Sequence, residues 1–182
     1  MNIHTDTAGQ SLVEFALALL MLCVLVFGII DFSRAVYDLE VMKNLAGEGS
    51  AMASRGTSPA NTATTVVNFA GSDLGMKTKG CVIVTAVTNT GAAKNPLQVS
   101  GQGSQCAIVA SSKVGCLKGQ GSCGTSNATL PNEASLALQT NQTLYVTEVF
   151  YTFSAITPIQ GILNLSGQAL SLPSQLYSAA YY

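Results

Sequence analysis

Residues 12–30 read LVEFALALLMLCVLVFGII, with Glu14 as their only charge. At 1.5 Å rise per residue, a helix over this run is about 29 Å long, close to the ~30 Å hydrocarbon core of a bilayer. The run is apolar on every side, as lipid requires, and predicts a single transmembrane helix. Beyond Ile30 the periodicity becomes amphipathic. Phe32, Val36, Leu39, Met42 and Leu45/Ala46 fall on one stripe, while Asp31, Arg34, Asp38 and Glu40 fill most other positions. Neither Gly nor Pro intervenes between Gly28 and Gly47. The expectation is one continuous helix from about Gln10 to about Ser54, its first half in lipid and its second half laying the apolar stripe on a folded domain.

The rest of the composition narrows the function classes. The chain has 182 residues, of which 48% are apolar and 9% charged, against a usual charged share of ~25%. Eight Lys/Arg face nine Asp/Glu, for a formal net charge of −1, and the mean hydropathy is +0.37. Such a chain has no cationic reserve with which to hold nucleic acid by counterion release. The single histidine, His4, cannot build a Ser-His-Asp, Cys-His or His-metal constellation. Glu48, Asp73, Glu133 and Glu148 are scattered singly, and no Gly-rich phosphate loop follows a strand. No enzyme, metal site or cofactor is predicted.

Cys23 sits inside the apolar run and reads as a small hydrophobe. Cys81, Cys106, Cys116 and Cys123 lie in the polar part. Their closest spacing is wider than a C-x₂₋₄-C zinc pair, so two disulfides formed in an oxidising compartment are favoured over free thiols or metal. All three connectivities remain open.

Glu14 is the anomaly of the apolar run, because a carboxylate there costs about 2.5–3.5 kcal/mol at a span's centre and less near its end. Ser11-x-x-Glu14 ahead of an apolar run fits a capping box. Gly9-Gln10-Ser11-Leu12-Val13-Glu14-Phe15 also resembles the processing site of the type IV pilin superfamily. More closely, Val13-Glu14-Phe15, Gly28-Ile29-Ile30-Asp31-Phe32, Arg34 and Leu45-Ala46-Gly47-Glu48-Gly49 resemble the TadE-like minor pseudopilins of the tight-adherence (Tad) pilus system. Val146–Phe153 followed by Pro158 is a weaker match to a late strand and loop of that family.

The resemblance implies cleavage by a prepilin peptidase between Gly9 and Gln10, leaving residues 1–9 as a leader. It gives Glu14 the task of neutralising the new N-terminal ammonium, of its own or a neighbouring subunit, within a bundle of helices. Its implied partners are the peptidase, other pilin or pseudopilin subunits, the pilus assembly platform and membrane lipid. It also implies a bacterial cell membrane location with a cytoplasmic N-terminus and an extracytoplasmic C-terminal domain. Arg34 and Lys43 lie on the far side of the span, and the positive-inside rule alone favours the opposite orientation. Disulfides belong outside, which favours the N-in arrangement. The rival reading is an uncleaved single-pass envelope protein with an extracytoplasmic binding domain.

Residues 56–182 read as an α+β domain with disulfide-pinned loops. Ser58-Pro59 opens a short helix to about Phe69. Cys81–Thr88 is β-branched and reads as a strand, Gln105–Ser111 as a short second strand, and Leu144–Phe153 as the best one. Residues 91–104 and 112–135 read as loops. Ala169–Tyr182, interrupted by Pro173, closes the chain, with Tyr177, Tyr181 and Tyr182 finishing against the sheet. The predicted architecture is pilin-like: a long N-terminal helix packed on a small antiparallel sheet.

Overall fold

The computed structural model describes residues 7–70, 74–118, 125–157 and 174–182. Helix α1 runs Thr7–Ser54, α2 Pro59–Phe69 and α3 Met76–Lys79, and they are followed by β1 Gly80–Asn89 and β2 Leu97–Cys106. A short α4, Asn132–Ala137, precedes β3 Thr143–Thr152 and β4 Gln175–Tyr181. The fold is α+β, with a long N-terminal helix and a four-stranded antiparallel sheet in the order β2-β1-β3-β4. Two compact units divide the chain. Among the described residues, one takes α1 as far as Tyr37 with the stretch that begins at Ser154, and the other takes α1 from Asp38 with α2 to β4.

In the first unit the apolar run of α1 is bare. Leu12, Phe15, Met21 and Leu25 are 62–77% exposed, and the helix is long and apolar enough to cross a membrane. Asp31, the first charge after the run, is buried. Its carboxylate accepts the Ile156 N–H at 3.1 Å and the Thr157 hydroxyl.

In the second unit both faces of the sheet are covered, so β1 is buried along almost its whole length. Directly paired residues share a face. Val82 with Val149 and Val84 with Thr147 mark one side, and Cys81 with Phe150 and Ile83 with Glu148 mark the other. Helices α1 and α2 cover the first side. Ser50 Oγ on α1 lies 2.8 Å from Ala180 O of β4, and a Cβ added at Gly49 would meet Thr147 Cγ2 at 2.8 Å. On the opposite side, Val87 and Val146 pack with Val114 and Leu130. There Cys81, Ile83 and Phe150 also pack with Ile108, Ala110 and Tyr177. Among the described residues, the connection after β2 is therefore a covering layer rather than a free loop.

Helix α2 begins as its sequence predicts, with Ser58 Oγ accepting Asn61 N–H at 3.4 Å and Pro59 in the first turn. It meets the sheet at β2 through Gly103, where an added Cβ would lie 2.2 Å from the Ala60 backbone nitrogen. No side chain fits there, which is why a glycine occupies the middle of a strand.

Three expectations need correction. Within the second unit the buried side of α1 carries Asp38, Met42, Ala46, Gly49, Ser50 and Ala53, and within the first unit Asp31 and Ala35 are buried. Phe32 and Val36 are instead 64% and 46% exposed. Small residues let the helix backbone approach, and that decides the face over raw hydrophobicity. The second strand is Leu97–Cys106, not Gln105–Ser111, so residues 97–104 belong to a strand paired with β1 instead of a loop. Its glycines and glutamines hide a strand whose partners supply the apolar surface. Helix α1 starts at Thr7, upstream of Ser11. Ser11 is thus interior to the helix and no capping box forms. Pro158 and the start of the final strand, 169–173, lie outside the described residues.

Candidate processing and assembly site

The proximal end of α1 carries the residues that the sequence singles out. Gly9 and Gln10 lie in the first turn of the helix and are exposed. An added Cβ at Gly9 would meet nothing within 4 Å. Its backbone is helical and needs no positive φ, so neither packing nor backbone conformation explains this glycine. Residues 1–6 of the expected leader, His4 among them, lie outside the described residues.

Glu14 stands one helical turn beyond Gln10 and is exposed, between Val13 at 57% and Phe15 at 68% exposure. Gln10 Nε2 donates to Glu14 Oε1 at 3.1 Å. An ionised carboxylate has room for about four hydrogen bonds, so one neutral amide leaves acceptor capacity open. Gly28, at the distal end of the run, also has open space around its Cβ position. The structure brings Gln10 and Glu14 together, and the apolar surface around them is unburied within one chain.

The cysteines resolve in part. Cys81 and Cys106 form a disulfide between directly paired positions of β1 and β2. Cys116 is also disulfide-bonded, and Cys123 lies outside the described residues. Cys23 is a free thiol in the apolar run.

A second polar cluster lies in the folded domain. Glu148, fully buried on β3, accepts Lys113 N–H at 2.8 Å, Tyr177 O–H at 3.0 Å and the Ser112 hydroxyl. Lys113 Nζ sits 3.6 Å over the Tyr177 ring. Burial, together with the neighbouring Glu148 charge and hydrogen bond, pushes the Tyr177 hydroxyl well above its ordinary range. Tyr181 is raised for the first two reasons. The carboxylate takes three donors, two of which hold the covering segment to the sheet, which suits an anchor. The sequence carried one overlooked signal of it. An acid within Val146-Thr-Glu-Val-Phe-Tyr151 must find buried partners wherever both sheet faces are covered.

Among the described residues no cluster of His, Cys, Asp or Glu can hold a metal ion. Glu133 lies in the first turn of α4 and Glu48 lines a cleft with Leu45, Met52, Val66 and Phe69, so these two acids are not paired with Glu148. Asp73 lies outside the described residues.

The family model described as TadE-like protein matches residues 9–51. The match starts at Gly9 and ends in the distal turns of α1, so the N-terminal helix is TadE-like and the sheet lies beyond the matched stretch. No curated protein and no solved structure matches the chain.

Proposed function

From the TadE-like character of residues 9–51, we propose that this protein is a membrane-anchored pseudopilin taking part in the biogenesis of a Tad-type pilus. On this reading a prepilin peptidase cuts between Gly9 and Gln10 on the cytoplasmic side, and the sheet domain stands outside the membrane. Assembly moves α1 from lipid into a bundle of subunit helices. The two environments are similarly apolar, so packing and charge pairing, more than hydrophobic gain, set the specificity.

One observation supports the reading above the others. Glu14 presents a carboxylate with a single neutral donor on an otherwise exposed apolar helix, five residues beyond a glycine that the fold does not need. Cleavage at that glycine frees an ammonium at Gln10. Pairing this charge with Glu14 makes both tolerable in a low-dielectric bundle. The uncleaved single-pass reading draws support from helix α1, which already runs through Gly9 from Thr7.

The test is Glu14→Ala in the producing cell. Membrane insertion is expected to persist while incorporation into pili falls at least about tenfold, a loss equivalent to about 1.4 kcal/mol. Glu14→Asp should recover part of the incorporation. Wild-type incorporation by Glu14→Ala would contradict the proposed role.

A further inference from the structure

The first unit contains a contact that neither processing nor assembly uses. Asp31 directly follows the apolar run, is 3% exposed, and accepts the Ile156 N–H at 3.1 Å and the Thr157 hydroxyl. These bonds tie a segment from beyond β3 to one level of α1, the level at which the lipid-compatible surface ends. The tethered segment turns Ile156 outward at 69% exposure, and Phe32, next to Asp31 on the helix, is 64% exposed. An aliphatic side chain held in the open beside its own hydrogen-bonded backbone has a use if its surroundings are not plain water.

We propose that the Ile156–Thr157 segment is a lipid-contacting collar. Asp31 holds it at the membrane–water interface, so that Ile156 and Phe32 enter the headgroup–acyl boundary. The occupant is the bilayer, because the exposed apolar surface of α1 runs without a charge from Phe15 through Ile30 to the level of Asp31. Ile156 extends that surface sideways. Asp31 is a positioning residue here. It takes the donors of the returning chain at a depth where unsatisfied backbone groups are costly. Side chains of this size in the interfacial zone fix the depth and tilt of a span. The collar rests on the membrane-anchored reading above, and the experiment separates the two.

The sequence has no tryptophan, so any introduced one is the only indole reporter. Full-length Ile156→Trp, Phe32→Trp and Leu20→Trp are reconstituted separately in phosphatidylethanolamine/phosphatidylglycerol vesicles containing lipids brominated either near the headgroup or near the chain end. Leu20→Trp is expected to be quenched most by the deep bromines. Ile156→Trp and Phe32→Trp should emit to the blue of the same variants in denaturant, and be quenched most by the shallow bromines. Adding Asp31→Ala to Ile156→Trp should abolish its lipid quenching while Leu20→Trp with Asp31→Ala keeps its own. Iodide-accessible emission from Ile156→Trp alongside a quenched Leu20→Trp would overturn the collar and leave the anchor standing. An unquenched Leu20→Trp would overturn both.

Discussion

The hydroxyl of Tyr177 on β4 donates to the carboxylate of Glu148 on β3 at 3.0 Å, and the same carboxylate accepts from Ser112 and from the Lys113 backbone. One buried acid thus joins an edge strand, an inner strand and the segment that covers the sheet. The apolar cluster of Phe150, Tyr177, Ile108 and Ala110 joins the same three parts beside it.

Removing the acid strands its donors. Glu148→Ala leaves the Tyr177 hydroxyl, the Ser112 hydroxyl and the Lys113 N–H without their acceptor, at a cost of about 1–3 kcal/mol for each group that water cannot reach. We expect a loss of about 2–4 kcal/mol in denaturant unfolding of the full chain in detergent. Glu148→Gln keeps one acceptor and should lose less. Amide exchange at Lys113 should rise in both variants, and an unchanged rate would show that the segment is held by other contacts.

The tyrosines give the domain an alkaline limit. The folded domain holds the protons of Tyr177 and Tyr181 more tightly than the unfolded chain does, because partial burial and the nearby Glu148 charge disfavour ionisation. This contribution to stability is fully present below the unfolded tyrosine value of about 10. It is lost as pH rises from there through the raised folded values. Spectrophotometric titration should therefore show two of the six tyrosines ionising late, together with unfolding. Tyr177→Phe should remove one of the late phases.

The Cys81–Cys106 bridge closes a separation of 25 residues that includes the β1–β2 hairpin. Restricting the unfolded chain over such a loop is worth about 3 kcal/mol. The Cys81→Ala/Cys106→Ala double variant should therefore melt well below the wild type. A non-reduced peptide map should recover Cys81 linked to Cys106, with Cys116 in a separate bridge. Recovery of Cys81 or Cys106 as a free thiol in native material would contradict the pairing.

The sequence made the long helix legible because residues 12–30 leave lipid as their simplest solvent, and Ser58-Pro59 marked the start of α2. β1 and β3 were visible through their β-branched and aromatic runs. The face of distal α1 was not, because Ala46 and Gly49 recommend themselves only once a sheet lies close enough to need small residues. β2 stayed hidden for a related reason. Gly101 and Gly103 weaken any strand propensity, yet Gly103 is required by the Ala60 backbone pressed against it. At the candidate site, Gly9, Gln10 and Glu14 were all readable as residues. Their geometry differed in that Glu14 meets the Gln10 side chain and Ser11 lies inside the helix. Asp31 read as one of the polar positions of the amphipathic helix, and Glu148 as a singly scattered acid. Only the returning chain and the covering segment turn them into buried acceptors.

The account rests on cleavage at Gly9, and the direct measurement is the mature N-terminus with the unreduced intact mass of protein taken from its native envelope. The account predicts a chain that begins at Gln10, with Glu14 as its fifth residue. A chain that retains Met1 and the residues through Gly9 would contradict it, leaving a membrane-anchored domain whose Glu14 is partnered by Gln10 alone.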